Sequence, residues 1–127
     1  AGLVGEKGKV ITTDVIPELV QLSRQNLTSM GFSNTLVLEA DGSEGYLPEA
    51  PYDKIIITAA SPTIPEPLIQ QVREGGVIVA PVGDLEGQTM VKATKVEGKL
   101  ELEFLGSFIF VPLKGRHGFL EVEQYYE

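Results

Sequence analysis

The spacing of apolar positions changes several times along the first two thirds of the chain, and each change marks an element. Val10-Ile11-Thr12-Thr13 is a short β-prone run that ends on Asp14. Pro17 then suits the first turn of a helix, where its missing N–H has no intrahelical partner. Ile16, Leu19, Val20, Ser23, Leu27 and Met30 share one face at three-to-four spacing, and Gly31 supplies a C-terminal stop. Thr35 to Glu39 reads as a second strand. Tyr52-Asp53 leads into Lys54-Ile55-Ile56-Ile57-Thr58, a nearly continuous apolar run of the kind buried on both faces of a parallel sheet. A second helix is predicted from near Ile64, with Pro65 and Pro67 in its first turn, ending before Gly75-Gly76. Val77-Ile78-Val79-Ala80 follows as another buried strand. This β-α-β-β-α-β order predicts an α/β fold with a doubly wound, mostly parallel sheet.

The last third changes character. Met90 to Val96 and Leu100 to Phe104 flank Glu97-Gly98, with alternation at Leu100, Leu102 and Phe104. That pattern predicts an antiparallel β-hairpin, continuing into Ser107-Phe108-Ile109-Phe110-Val111. A hairpin closing an otherwise parallel sheet is the ending found in class I methyltransferases, so a Rossmann-like sheet of that kind is expected.

Composition narrows the function classes. The 127 residues are 43% hydrophobic and 22% charged, as in a folded domain, and one domain over 1–127 is expected. A formal charge of −8 argues against nucleic acid, whose phosphates bind through Lys and Arg. It argues equally against an anionic membrane surface. With no cysteine and one histidine, disulfides, thiolate metal sites, a cysteine nucleophile and a multi-histidine metal centre are excluded, and no metal is expected. No apolar run approaches the roughly 20 residues of a membrane span. A cytoplasmic protein is the expectation. Because Ala1-Gly2-Leu3 carries no initiator methionine, the chain is read as a fragment or a processed product.

In open α/β sheets, ligands bind beyond the carboxyl ends of the strands, and three such ends carry informative residues. Asp14 could accept hydrogen bonds from both hydroxyls of a ribose, or it could cap the helix that follows. Asp41-Gly42, after the second strand, could meet the edge of an adenine or could be a simple turn. Thr58-Ala59-Ala60-Ser61-Pro62 opens a buried strand into a loop of small residues. The small side chains leave room for a substrate backbone, or serve tight packing under the next helix. His117, in Lys-Gly-Arg-His-Gly, reads as an exposed loop residue rather than a base. Asp84 and Glu86 read as solvated, and Gly5 and Gly8 as a turn. No GxGxxG, GxxxxGK[ST] or GxSxG pattern occurs, and no residue is singled out as catalytic.

Taken together, the stretches Tyr52–Ile69, Glu74–Gly83 and Phe110–Gly115 resemble the protein-L-isoaspartate O-methyltransferase family. Asp41–Tyr46 and Ile16–Leu19 also fall where that family places similar runs. The likeness covers roughly positions 1 to 119. It implies an S-adenosyl-L-methionine site with Asp14 on the ribose, Val15 against the adenine, and Asp41 and Gly42 at the adenine edge. It implies peptide contacts at Thr58, Ala59 and Ala60 and along Val111, Pro112 and Leu113.

The family's first strand, glycine-rich loop and helix precede the equivalent of Ala1, so the sheet is expected to lack its first strand and helix. That gap would expose two strand edges and apolar helix faces, to be closed by direct strand pairing, by a partner chain or missing N-terminal segment, or by self-association. The reaction implied is methyl transfer to the α-carboxylate of isoaspartyl residues in damaged proteins or peptides, which is protein repair. The competing reading is a catalytically inactive α/β domain acting in protein–protein association. A nicotinamide-binding Rossmann protein is disfavoured by the terminal hairpin and the absent glycine fingerprint.

Overall fold

Asp14 closes the first strand, β1 (Val10–Asp14), and its Oδ1 accepts from the Ile16 amide at 3.0 Å in a turn ahead of the helix that follows. Helix α1 (Pro17–Ser29) has Pro17 at its first position, where an N–H would lack a partner, and Glu18 in its first turn, suited to the positive N-terminus. It ends in a Schellman motif. The Phe32 amide donates to Leu27 O, the Gly31 amide donates to Thr28 O, and Gly31 takes φ +78. The chain returns through β2 (Thr35–Glu39), parallel to β1 in the register Val10↔Thr35 to Asp14↔Glu39. Arg24 Nη2, from α1, donates to Val37 O at 2.8 Å. Val20 and Val37 are the buried apolar side chains of this part.

Two 3₁₀ turns, Gly42–Glu44 and Leu47–Glu49, precede β3 (Tyr52–Ile56). Helix α2 (Glu66–Gln71) then runs directly into β4 (Val72–Gly83). Strands β5 (Gln88–Val96) and β6 (Lys99–Phe108) complete a four-stranded sheet of order β3-β4-β5-β6. The β3–β4 pairing is parallel, whereas β4–β5 and β5–β6 are antiparallel. Glu97 (φ +52) and Gly98 (φ +76) form the predicted two-residue turn, both at positive φ as a type I′ hairpin requires. Ile57, Leu68, Val72, Ile78, Ala80, Val91 and Ala93 form the core of this sheet and α2. Truncating the fully buried Ile78 to Ala is expected to cost about 2–5 kcal/mol.

This computed structural model describes residues 1–119, in two compact units, Ala1–Gly42 and the part from Ser43 onward. Among those residues β1–β2 and β3–β6 are separate sheets.

Several sequence expectations are corrected. The run Lys54–Thr58 is not buried on both faces. Ile55 packs on the core and Ile57 is buried, but Ile56 is 72% exposed, because β3 is the edge of its sheet with its second face uncovered. The predicted helical stripe of α1 buries only Val20 fully, and Leu19 and Met30 are exposed. Helix α2 starts at Glu66, with Pro65 as its N-cap, and it yields to strand at Val72 rather than at Val77. Short as it is, α2 packs on β4 and leaves Leu102 and Phe104 of β6 exposed, although they share the face of Ala93 and Val91.

Candidate functional site

The first group of candidates collects at the carboxyl ends of β1 and β2. The parallel register sets Asp14 beside Glu39, and the Ala40 amide donates to Asp14 O at 3.0 Å, extending the ladder by one bond. Asp41 and Gly42 follow at once. A side chain at Gly42 would lie 2.7 Å from Thr13 Oγ1, so only glycine lets this backbone approach β1 so closely. Asp14 does not cap α1 as foreseen: its Oδ1 accepts from the amide of Ile16, the N-cap residue itself, in a turn ahead of the helix, and no side chain caps the first turn. Its Oδ2 has no hydrogen-bond partner among the described residues, so that turn leaves one carboxylate oxygen for a donor. Asp14, Asp41 and Gly42 are half-buried, and Val15 is exposed beside them.

Two open grooves in the same unit lie elsewhere. One, of about 370 Å³, is lined by Arg24, Leu27, Phe32 and Thr35–Leu38. The other, of about 340 Å³, lies along Val10, Thr12, Ser23, Asn26 and Leu27. Both follow the α1 packing face and neither includes Asp14 or Asp41.

The second group collects where β3 runs out. The chain continues past Ile56 in strand-like pairing, with Ile57 N donating to Val79 O at 2.9 Å. Ala60 and Ser61 are then held from both sides. Toward β4, Ser61 N donates to Pro81 O and Gly83 N donates to Ser61 O, each at 3.0 Å. On the other side Ala60 N donates to Val111 O at 2.6 Å, and Leu113 N donates to Ala60 O at 2.7 Å. Thus the structure joins Ala60 directly to Val111, Pro112 and Leu113, fifty residues away in sequence. Ala60 and Ser61 are fully buried, whereas Thr58 and Val111 are exposed and Ala59 is half-buried.

Side chains that the sequence did not single out hold this region. Gln71 and Gln88 are buried, and each amide spans two backbone groups. Gln71 Nε2 donates to Glu44 O at 3.0 Å and Gln71 Oε1 accepts from Tyr46 N at 2.9 Å. Gln88 Nε2 donates to Asp84 O at 2.6 Å and Gln88 Oε1 accepts from Phe110 N at 2.7 Å. Tyr52 Oη donates to Tyr46 O, and burial, then Glu49, then Tyr46, push its phenol up from the ordinary tyrosine range.

His117 is not the exposed loop residue expected. It is half-buried, its amide donates to the buried Ser43 Oγ at 3.0 Å, and its Nε2 lies 3.9 Å from Glu44 Oε1. Asp84 does more than solvate its loop, since Oδ1 accepts from the Glu86 and Gly87 amides. Gly5 forms the expected turn, accepting from Gly8 N at 3.1 Å. Among the described residues no group of three or more His, Asp or Glu is placed to hold a metal ion. No helix among them is long and apolar enough to cross a membrane.

A parallel βα arrangement with carboxylates at its strand ends, followed by an antiparallel β4–β5–β6 meander, defines a Rossmann-like class I methyltransferase fold. Residues 1–118 match the family model of protein-L-isoaspartate(D-aspartate) O-methyltransferase, and the chain belongs to that family of enzymes. It is 47% identical over 119 residues to the protein-L-isoaspartate O-methyltransferase of Methanoculleus marisnigri, covering 93% of this chain and 54% of that protein. It is 45% identical over 122 residues to protein-L-isoaspartate O-methyltransferase 2 of Archaeoglobus fulgidus, covering 96% and 56%. The chain therefore spans about half the length of the curated relatives it matches. A solved protein-L-isoaspartate O-methyltransferase superposes with a TM-score of 0.84 at 26% identity, over 91% of this chain and 37% of that one. A candidate enzyme of the same description from Plasmodium falciparum, solved with S-adenosyl-L-homocysteine, gives 0.72 at 23% identity, over 84% and 52%, and supports the fold.

Proposed function

We propose that this chain carries the adenosine-binding and peptide-binding parts of an enzyme that methylates the α-carboxylate of L-isoaspartyl residues in damaged proteins, using S-adenosyl-L-methionine. The observation that carries the reading is the parallel register that sets Asp14 beside Glu39-Ala40, directly before Asp41-Gly42, with Asp14 Oδ2 open to a donor. These residues fit the cofactor's adenosine half. Asp14 would accept from the ribose hydroxyls, Val15 would lie against the adenine, and Asp41 with the backbone at Gly42 would meet the adenine edge. When bound, the cofactor supplies an electrophilic methyl group on sulfonium sulfur.

The chain's own task is then to hold the substrate. A carboxylate is ionised near neutral pH, so the acceptor needs no strong general base, and orientation supplies most of the acceleration. Ala60-Ser61, with Ser61 bonded to Pro81 and Gly83 and Ala60 to Val111 and Leu113, forms a rigid, buried support, and Thr58 and Ala59 present small groups beside it. Along these residues a substrate peptide is held with its isoaspartyl carboxylate free to react. We propose that the protein acts in the cytoplasm.

The test is calorimetric titration of the chain with S-adenosyl-L-homocysteine, followed by methylation of an isoaspartyl peptide. Micromolar binding and methylation support the reading. No binding up to millimolar ligand removes activity from this chain alone.

A second reading is favoured by one observation. Ile56, on edge strand β3, is 72% exposed. An exposed apolar face on the terminal strand of a sheet suits contact with another chain or a second copy, and a catalytically silent association domain would use it so.

A further inference from the structure

We infer that Gln88 is a positioning residue for the peptide site, aligning the Phe110–Leu113 segment on Ala60 and so setting affinity for the substrate peptide. This rests on the peptide-site reading of Ala60 and Val111–Leu113 given above.

The chain changes partners at this point. Through Phe108, strand β6 pairs with β5 in the register Gln88↔Phe108. By Pro112 the same chain pairs with Ala60, beyond the end of β3. Between these two pairings, the Phe110 amide has left the β5 ladder and has not reached Ala60. Gln88 Oε1 accepts it at 2.7 Å. The same amide group is anchored behind by its Nε2, which donates to Asp84 O at 2.6 Å in the β4–β5 connection. Asp84 is itself fixed by the Glu86 and Gly87 amides on its Oδ1.

At 4% exposure, the Gln88 side chain is shielded from water that could replace either bond. A planar amide with a donor at one end and an acceptor at the other fits this span. Methionine matches its length and offers neither group. Glutamate keeps the acceptor for Phe110 and loses the donor for Asp84. Loss of the Phe110 bond frees the start of the segment whose next links are the Val111 and Leu113 bonds to Ala60.

The experiment pairs a readout that needs no activity with one that does. Amide hydrogen exchange in Gln88→Met should speed at Leu113 by about tenfold or more, the worth of one net hydrogen bond, with Ile57 unchanged. Ile57 N bonds to Val79 O in the core and reports the fold itself. Equal acceleration at both sites would make Gln88 a general stabiliser, and no acceleration at Leu113 would remove its hold on the segment. Either result overturns the inference.

In parallel, isoaspartyl-peptide affinity should fall about tenfold in Gln88→Met, with S-adenosyl-L-homocysteine affinity unchanged. Unaltered peptide affinity beside a loosened Leu113 overturns the link to substrate. A wild-type chain that binds no peptide overturns the peptide-site reading itself, and the exchange data still decide whether Gln88 holds the segment. If Gln88→Met does not fold, Gln88→Glu serves. It should keep Leu113 protected within about threefold, and loss of protection there with Ile57 intact would refute the Phe110 bond as the decisive one.

Discussion

The side-chain amide of Gln71 brackets Gly45, donating to the carbonyl of Glu44 before it and accepting from the amide of Tyr46 after it. Gly45 sits at φ +68, and a methyl group added there would collide with Gln71 Oε1. Gly45→Ala therefore meets both a left-handed backbone and a fixed neighbour. It should lose about 2 kcal/mol, measured by urea unfolding with an unchanged m-value. Gln71→Ala should make Gly45→Ala cheaper, because the obstruction is gone, and a double-mutant cycle reads that coupling.

Asp14→Asn separates the carboxylate's two roles. Asparagine retains an acceptor for the Ile16 amide, so thermal stability should stay within about 0.5 kcal/mol. Affinity for S-adenosyl-L-homocysteine should fall about tenfold or more by titration, since charge-assisted hydrogen bonds to hydroxyls give way to neutral ones. Stability and affinity falling in step would indicate that Asp14 serves the turn before α1 alone.

The hairpin turn offers a gain. Glu97 holds φ +52, a region in which asparagine is far more comfortable, and Asn-Gly is the preferred type I′ pair. Glu97→Asn should stabilise the chain by about 0.5 kcal/mol, seen as a rise of a few degrees in Tm. The Glu74 carboxylate accepts from the Gly98 amide from outside the turn, so the substitution leaves that bond in place.

Lys95 lies on β5, yet its Nζ donates to Ile69 O at 2.9 Å and to Val72 O at 3.1 Å. It thereby satisfies carbonyls at the carboxyl end of α2, where a positive charge is also favoured by the helix dipole. Lys95→Met should cost about 1–2 kcal/mol in denaturant unfolding. Lys95→Arg should recover part of it.

Alkaline pH should weaken the fold through Tyr52. Burial, Glu49 and Tyr46 raise its phenol above the ordinary value of 10.0. A raised folded-state value means that the contribution is fully present below about pH 10 and is lost as pH rises through the folded value. In Tyr52→Phe, that part of the alkaline slope should vanish from stability measured at successive pH values.

What the sequence disclosed follows from where its signals are local. Helix α1 was legible because Pro17 and Gly31 punctuate it, and the β5–β6 hairpin because Glu97-Gly98 leaves few other conformations. The strand-end placement of Asp14 and Asp41 was legible for the same reason. Exposure of Ile56 was not, since burial on a second face depends on which strand or helix lies beside it. Nor were the roles of Gln71 and Gln88. A glutamine amide follows no periodicity, and both partners of Gln71 and the Phe110 partner of Gln88 lie more than twenty residues away. Likewise the short α2 came from Val72 pairing with Tyr52, a tertiary demand that overrides helical spacing.

The β4–β5–β6 meander has a bearing on the order of folding. Its strands are joined by residues 84–87 and by the Glu97-Gly98 turn, so each pairing closes a small loop. The parallel pairs need residues 15–34 and 57–71 to cross over first, at greater entropic cost and for contacts of longer range. Emerging from a ribosome, residues 52–56 would thus wait for a partner strand that is synthesised after them. The meander, made last of the strands, would be first to zip, and it would present the edge of β4 on which β3 is laid down.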